Sequence, residues 1–318
     1  MLSNVKLFLR RFPALIPVFI AVSLYGLTVL MVPTALNMSA ISSIIMLTLL
    51  LSFASAGQTI VLIGGGLDFT VGAVMSTSAI ITVRIMDGQD GMFLYAFAVV
   101  MLMAVIVGLI NGLCTVKIGL PALIVTLAIS NVISRLQYVF TQGSPTGYAG
   151  PAFVSTVTDR IFTHIPSLAL YALIIFPLVF FILNRSRYGR QLYLVGNNSI
   201  AAGLTGINVN LVKIMSYVIS AMFAGFAGML AAGYMQRAQC QMFDDYAYSS
   251  LIAVIVGGTA FSGGVGTYTG TIAGSLLMVV LTNMLTALFL PQPIRNIVMG
   301  VILVLLLLIY NRKKAVRQ

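Results

Sequence analysis

Long apolar segments dominate the chain, and short polar or glycine-rich segments separate them. A helix that crosses the hydrocarbon core of a bilayer needs about 20 apolar residues. Continuous apolar runs of this length favour helices over strands. The pattern therefore predicts ten membrane-spanning helices, two of them short, at residues 14–32, 41–63, 71–87, 93–115, 121–141, 166–184, 212–235, 246–262, 267–290 and 294–311.

The composition supports an all-α polytopic membrane protein. Of the 318 residues, 60% are hydrophobic and 7% are charged, whereas a soluble domain carries about 25% charged residues. The net charge of +11 does not indicate a nucleic-acid partner, because basic residues flank membrane spans on the cytoplasmic side. We therefore expect the lipid bilayer as the chain's environment, and a multi-pass location in the cell (inner) membrane.

The distribution of basic residues predicts the topology. With ten spans and the N-terminus inside, twelve Lys and Arg residues fall on the inner side and five on the outer side, as the positive-inside rule requires. Both termini are thus predicted to be cytoplasmic. The first apolar run is too long for a signal peptide, whose hydrophobic region has about 7–15 residues.

Three regions follow from this topology. Residues 1–12 place apolar and basic side chains on different helical faces, which predicts an amphipathic cytoplasmic N-terminus, with a frayed basic tail as the alternative. Residues 13–311 form a single transmembrane domain, with a cytoplasmic loop at about 185–210. Residues 312–318 form a basic cytoplasmic tail.

The chain is poor in groups that perform chemistry. It has six aspartates, no glutamate, one histidine (His164) and two distant cysteines, Cys114 and Cys240. It also lacks a Gly-Lys pair, which the phosphate-binding loop of nucleotide hydrolases contains. The sequence therefore predicts no catalytic residue, metal site or cofactor.

Two spans carry stripes of neutral polar residues, and each stripe recurs at helical spacing. Such stripes suit a path for an uncharged polar solute, and they equally suit hydrogen bonds between packed helices. The candidate pathway residues are Ser52, Ser55 and Thr59 in the second span and Ser130, Asn131 and Ser134 in the fifth.

Arg84 and Arg135 lie within apolar segments, where a charge is costly and often functional. Both are about fourteen residues into outward-running helices, so we expect them to reach the outer interface. In the outer segment 142–165, Pro151 can begin a helix in which Phe153, Val157 and Ile161 share one face. A plain connection is the alternative.

The segment Arg185–Asn208 cannot lie in hydrocarbon, because it begins with three arginines and continues with polar and small residues. Either Asn198 or Ser199 can cap a short helix over 200–205. The segment is either a simple connection or the contact for a soluble partner, and we favour the contact.

Two glycine-rich stretches interrupt the apolar pattern. The first is Gly64–Gly72, in which Asp68 can cap the third span or mark a hinge. The second runs from Gly257 to Gly270. Glycines permit positive φ and close backbone approach, so both stretches are candidate hinges.

Three motifs together resemble the permease subunits of ribose-, arabinose-, xylose- and galactose-type ABC importers. G-G-L-D-F-T-V-G at Gly65–Gly72 is similar to that family's G-G-I-D-L-S-V-G. V-G-N-N at 195–198 with T-G-I-N-V at 205–209, and G-G-T at 257–259 with G-G-V-G at 263–266, are similar to its two later motifs. Order and spacing agree across nearly the whole chain.

The resemblance implies a type II ABC importer permease fold and three protein partners. These are an ABC ATP-binding subunit, an extracytoplasmic solute-binding protein and a second permease copy or paralogue. It also implies a coupling loop that docks on the ATPase, for which the candidates are Gly189, Gly196, Asn197, Ala201, Ala202 and Gly206. The implied hinge residues are Gly65, Gly66, Asp68, Gly72, Gly257, Gly258, Gly263, Gly264, Gly266 and Gly270.

The sequence also leaves other functions open. The same architecture could import a nucleoside or another small polar solute. An ion-coupled secondary transporter would need an ionisable group near the membrane midplane, and no aspartate falls in the centre of a predicted span. A membrane-embedded enzyme would need paired acids or a nucleophile motif, which the chain lacks.

Overall fold

A computed structural model of the protein describes residues 14–33, 36–161 and 165–312. The predicted amphipathic N-terminus (1–12), His164 and residues 313–318 of the basic tail lie outside these ranges. Apart from loops, turns and a short 3₁₀ helix (Asp90–Met92), the described residues form α-helices and one pair of two-residue antiparallel strands, β1 (Arg160–Ile161) and β2 (Ile165–Pro166). Its helices are α1 (Leu15–Met31), α2 (Met38–Ile63), α3 (Val71–Met86), α4 (Phe93–Val116), α5 (Ala122–Thr141), α6 (Pro151–Thr158), α7 (Leu168–Asn184), α8 (Arg187–Asn197), α9 (Ser199–Leu204), α10 (Val209–Met235), α11 (Tyr246–Val256), α12 (Tyr268–Ala287) and α13 (Gln292–Arg312).

A helix occupies each of the ten segments for which the sequence predicts a span. Five of them (α2, α4, α5, α10 and α12) are long and apolar enough to cross a membrane, and the pair α7–α8, bent by 60°, counts as a sixth. The apolar helices α1, α3 and α11 are shorter, as is the apolar part of α13, Gln292–Leu306. These features are those of a polytopic helical membrane protein.

The eighth predicted segment, 246–262, is wrong at its C-terminal boundary. Its helix α11 ends at Val256, and Gly257 is the C-cap. Gly258 follows with φ +94°, a conformation that leaves the helix and that glycine adopts without strain. At about 1.5 Å per residue, the eleven residues of α11 extend about 16 Å, half of the hydrocarbon thickness.

Helix α10 lies at the centre of the fold and packs against α2, α3 and α4. Small residues make these contacts close, as is usual between membrane helices. A Cβ atom on Gly228 of α10 would lie 2.3 Å from the Met75 carbonyl oxygen of α3, and one on Gly57 of α2 would lie 2.4 Å from the Ser220 Cα of α10. The helices therefore pack backbone to backbone.

The segment between α5 and α7 contains the helix that Pro151 was predicted to begin. Phe153 and Val157 of this helix, α6, are buried, and the Phe153 ring centroid lies 5.0 Å from that of Phe93. Ile161 does not share their helical face, because it lies in β1 beyond the end of α6. The carboxylate of Asp90 accepts hydrogen bonds from the backbone N–H groups of residues 152 and 153, both at 3.0 Å, and so fixes the start of α6.

Arg84 and Arg135 are both exposed. Arg84, in the last turn of α3, donates a hydrogen bond from Nη1 to the Phe140 carbonyl oxygen at 2.9 Å. Phe140 is the second-last residue of α5, so the guanidinium joins neighbouring helix ends. Its position agrees with the expectation that the side chain reaches the edge of the apolar region.

Candidate functional site

The three glycine-containing motifs meet at one end of the helical bundle. The N–H group of Gly264 donates a hydrogen bond to the Ile63 carbonyl oxygen at 2.8 Å. Gly196 lies against the same two residues, since a Cβ atom there would be 1.8 Å from the Ile63 oxygen and 2.6 Å from the Gly264 nitrogen. We call these contacts, among residues 63–66, 196–197 and 263–266, the glycine junction.

The conformations at the junction require glycine. Gly65, Gly263 and Gly264 have φ angles of +79°, +81° and +76°, which residues with a Cβ atom adopt only at a cost. A Cβ atom on Gly264 would also lie 2.8 Å from the backbone of Asn197. Backbone conformation therefore requires glycine at all three positions, and lack of space is a second, independent constraint at Gly263 and Gly264.

Helix α8 carries one side of the junction and is fixed along its length. The Tyr193 hydroxyl donates a hydrogen bond to the Gly266 carbonyl oxygen at 2.8 Å, and the Tyr188 hydroxyl donates one to the Val212 carbonyl oxygen at 3.2 Å. Burial raises the pKa of Tyr193, so its hydroxyl keeps its proton and remains a donor. A Cβ atom on Gly189 would lie 2.3 Å from the Ile182 carbonyl oxygen, so α8 also packs closely on α7.

The short helix α9 follows α8 directly and agrees with the predicted helix over 200–205 to within one residue. Asn198 is its N-cap, and its side-chain oxygen accepts hydrogen bonds from the N–H groups of residues 200 and 201, both at 3.0 Å. Ala202 is buried against the protein, whereas Ile200 and Leu204 are 78% and 86% exposed. The helix therefore presents two large apolar side chains on its outward face.

The second glycine-rich stretch is compact in itself. Gly257 and Gly270 touch, because a Cβ atom on Gly270 would lie 1.9 Å from the Gly257 carbonyl oxygen. The N–H group of Ala260 donates to the Val265 carbonyl oxygen at 2.9 Å, which closes the turn. The stretch thus joins the end of α11 to the start of α12 without a flexible loop.

Gly72 and Asp68, the other members of the first motif, lie away from the junction contacts. A Cβ atom on Gly72 would be 2.4 Å from the Phe243 carbonyl oxygen, so Gly72 admits the segment that leads into α11. Asp68 is fully buried and accepts a hydrogen bond from the Thr70 N–H group at 2.9 Å. Thr70 is the residue before α3, so Asp68 orders the approach to α3 and does not bond the N–H groups of its first turn.

The candidate pathway residues divide into two groups. Ser52, Ser55 and Thr59 of α2 are fully buried within the chain, and the Thr59 hydroxyl lies 2.8 Å from that of Thr271 on α12. In α5, Ser134 is buried, Ser130 is half-buried and Asn131 is exposed. The α2 stripe therefore lies in a helix contact, and part of the α5 stripe is open at the surface.

Sequence reasoning missed what the glycines of the junction touch. Gly196 indicated a close approach, but its partners lie 133 and 68 residues away (positions 63 and 264). Tyr193 and Leu192 were also missed as side chains that hold α8 in place; Leu192 is fully buried and lies against Gly64 at the end of α2. The only signal in the sequence was the recurrence of aromatic and apolar residues within an otherwise polar loop.

These features define a class: a helical integral membrane protein whose glycine-rich breaks meet at α8, next to the short exposed helix α9. Residues 40–307 match the family described as the branched-chain amino acid transport system / permease component. The chain belongs to this family of membrane permeases.

Among curated proteins, the chain is similar to several import permeases. It is 30% identical over 269 residues to the ribose import permease protein RbsC of Bacillus subtilis, which covers 81% of the chain and 80% of that protein. It is 28% identical to RbsC of Escherichia coli (strain K12), covering 89% and 88%, and 28% identical to the galactose/methyl galactoside import permease protein MglC of E. coli, covering 89% and 90%. No solved structure matches the chain.

Proposed function

We propose that the chain is the permease subunit of an ATP-driven importer that carries a monosaccharide across the cell (inner) membrane. The ribose and galactose permeases among its relatives support the sugar class. In this proposal residues 13–311 form one transmembrane domain with ten spans, and both termini are cytoplasmic. An extracytoplasmic binding protein delivers the solute, and a separate ATP-binding subunit supplies energy.

The observation that carries the proposal is the combination of α9 with the glycine junction. Helix α9 exposes Ile200 and Leu204 at the side of the bundle that the charge distribution assigns to the cytoplasm. Exposed apolar side chains that cluster on one short helix suit a protein partner. The adjoining helix α8 packs without a gap on the ends of α2 and on the turn between α11 and α12.

This geometry gives a mechanical route from the partner to the membrane helices. When the ATP-binding subunits close, they displace α9 and, with it, α8. Because the backbones at Gly196, Ile63 and Gly264 are in contact, the displacement reaches α2, α3, α11 and α12 together. These helices then tilt between outward-open and inward-open arrangements.

We further propose that α5 lines the translocation path together with a second permease copy or paralogue. Asn131 and Arg135 of α5 are exposed, and polar groups are disfavoured against lipid. A partner copy would cover this face and enclose a polar path between the two subunits. Ser52, Ser55 and Thr59 would then stabilise the helix packing beside it.

The test is reconstitution in proteoliposomes with the ATP-binding subunit and the binding protein. Uptake of ribose and galactose is expected to require ATP. Replacing the lysine in the phosphate-binding loop of the ATP-binding subunit should abolish it. Uptake driven by a proton or sodium gradient without ATP would contradict the importer assignment. ATP-driven uptake of leucine or a nucleoside, without sugar uptake, would contradict only the sugar class.

A further inference from the structure

A cluster of buried oxygen atoms surrounds Asp68, between the glycine junction and α10. The Asp68 side chain is fully buried. Its Oδ1 atom accepts hydrogen bonds from the N–H and the hydroxyl of Thr70. The Asn111 amide of α4 donates to the Thr70 hydroxyl at 2.9 Å. Oδ1 of Asp68 is thus well bonded, whereas four other oxygens of the cluster are not.

The other oxygens in the cluster have no hydrogen-bond partner. Besides Oδ2 of Asp68, these are Oδ1 of Asn111, the hydroxyl of Tyr217 and the hydroxyl of Ser220. Ser220 and Tyr217 both lie beside Asp68. Leaving a buried polar atom unpaired costs about 1–3 kcal/mol. Ser220 lies within hydrogen-bond reach of the Asp68 carboxyl, so a hydrogen atom between these two side chains would pair two of the four oxygens.

No basic side chain neutralises Asp68 within the described residues. The loop before α3 and helix α4 face it with groups that do not titrate, Thr70 and Asn111. On α10 the titratable groups near the cluster are Tyr217, beside Asp68, and Lys213, which lines the adjoining cavity. A buried carboxylate without a cationic partner is strongly disfavoured, because burial removes its hydration.

The cluster borders a cavity that leads towards the predicted cytoplasmic side. The cavity has a volume of about 280 Å³ and is lined by the backbone of residues 64–66 and by Thr115, Lys213, Ser216 and Tyr217. A polar space of this size holds several ordered water molecules. Tyr217 belongs to both the cavity and the cluster, so water in the cavity comes within one side chain of Asp68.

We propose that the cluster is a proton-binding site: Asp68 is held as a neutral carboxylic acid, and its proton exchanges with the cytoplasmic side through this cavity. The proton bound at Oδ2 supplies a donor that the Ser220 hydroxyl oxygen, which lies beside the carboxyl, can accept. It also removes the charge that would otherwise force water into the glycine junction. Loss of the proton would leave a buried anion at the break between α2 and α3 and loosen the junction.

The chain is well suited to a direct spectroscopic test. Its only side-chain carboxyl groups are six aspartates, so carbon-13 labelling of aspartate assigns every carboxyl band in the infrared spectrum. The full-length permease in lipid nanodiscs is expected to show the C=O stretch of a protonated carboxyl at neutral pH. Asp68→Asn should remove that band and Asp244→Asn, the matched control, should keep it.

Two further measurements test the proposal even if the Asp68→Asn variant does not fold. Ser220→Ala, which removes the hydroxyl beside the carboxyl, should shift the frequency of the band. Thr115→Leu, which fills the cavity, should slow exchange of the bound proton for deuterium. Absence of a protonated-carboxyl band in the wild type at neutral pH overturns the proposal. Loss of the band when sodium replaces potassium also overturns the proposal, because the carboxylate would then bind a metal ion in place of the proton.

Discussion

At the scale of single residues, Gly196 is the most constrained position of the coupling segment. It joins α8 to the end of α2 and to the turn at Gly264, and no side-chain atom fits between them. Gly203 in α9 offers a matched control, because a Cβ atom there would meet only Val209 Cγ2, at 3.9 Å. The two glycines lie in the same loop, yet they differ fully in the space around them.

We expect Gly196→Ala to destabilise the permease by about 1–3 kcal/mol, the usual cost of overpacking, and to reduce ATP-driven uptake. Gly203→Ala should leave both unchanged or slightly raise stability, because alanine favours the helix. Thermal unfolding in nanodiscs and uptake in proteoliposomes measure the two effects. Equal behaviour of the two variants would show that the contact at Gly196 is not rigid.

Asp244, between α10 and α11, gives the permease a second pH dependence. The pKa of Asp244 is raised from 3.8 to about 6, because burial and, to a smaller extent, the neighbouring charge of Asp245 outweigh the opposing effect of Arg135. The folded state therefore binds this proton more tightly than the unfolded state does. By linkage, the stabilisation is complete below 3.8 and is lost as the pH rises through about 6.

Asp244→Asn should accordingly flatten the fall in melting temperature between about pH 4 and about pH 6. The side chain is partly exposed, so we expect a partial effect. A residual slope should remain, because burial also raises the pKa of Asp245. Melting temperatures of the wild type and the variant across this pH range provide the measurement. If both fall equally with pH, the pKa of Asp244 is not raised in the folded state.

At the scale of elements, α9 is short, capped and apolar on its outward face. Its six residues are too few for a stable isolated helix. The Asn198 cap and the burial of Ala202 hold it against the protein. The exposed Ile200 and Leu204 therefore contribute little to the stability of the fold, which agrees with the proposed contact with a partner.

Leu204→Ser should weaken association with the ATP-binding subunit at least about tenfold, which corresponds to about 1.4 kcal/mol, a loss within the range for burying one leucine side chain. Insertion and melting temperature should stay normal. Ile118→Ser, in the turn between α4 and α5 and 67% exposed, is the matched control outside α9. Co-purification of the two subunits measures the difference. If both variants associate equally well, α9 is not the docking element.

The elements differ in how far the sequence alone defines them. The bounds of α2, α4 and α10 follow from long apolar runs, because hydrocarbon requires internally bonded backbone. The end of α11 was placed six residues too late, since the apolar pattern continues past Gly257 while the backbone turns. The position of Ile161 was missed for a similar reason: apolar spacing predicts a shared face only while the helix continues.

The candidate site was predictable in parts, and its assembly was not. Glycine at 196, 263 and 264 indicates tight backbone, and Asn198 indicates a cap. The contact of Gly196 and Gly264 with Ile63 joins positions more than 130 residues apart, which local periodicity cannot specify. The pairing of Thr59 with Thr271 likewise places a predicted polar stripe inside the bundle, where only the tertiary packing decides its neighbours.

For the whole molecule, coupling depends on which side of the membrane carries α8 and α9. An ATP-binding subunit is reached only from the cytoplasm, and the glycine junction links that side to four membrane helices. The basic residues of the loop predict the cytoplasmic side through the positive-inside rule. The topology is therefore the property on which coupling, docking and the direction of transport all rest.

The most direct measurement is labelling of Ile200→Cys with a membrane-impermeant maleimide, in a chain whose two native cysteines (Cys114 and Cys240) are replaced by serine. The account predicts labelling in inside-out vesicles and none in intact spheroplasts, with protection when the ATP-binding subunit is added. Labelling from the outside of intact spheroplasts would contradict the account, because an α9 on that face has no ATP-binding subunit to contact.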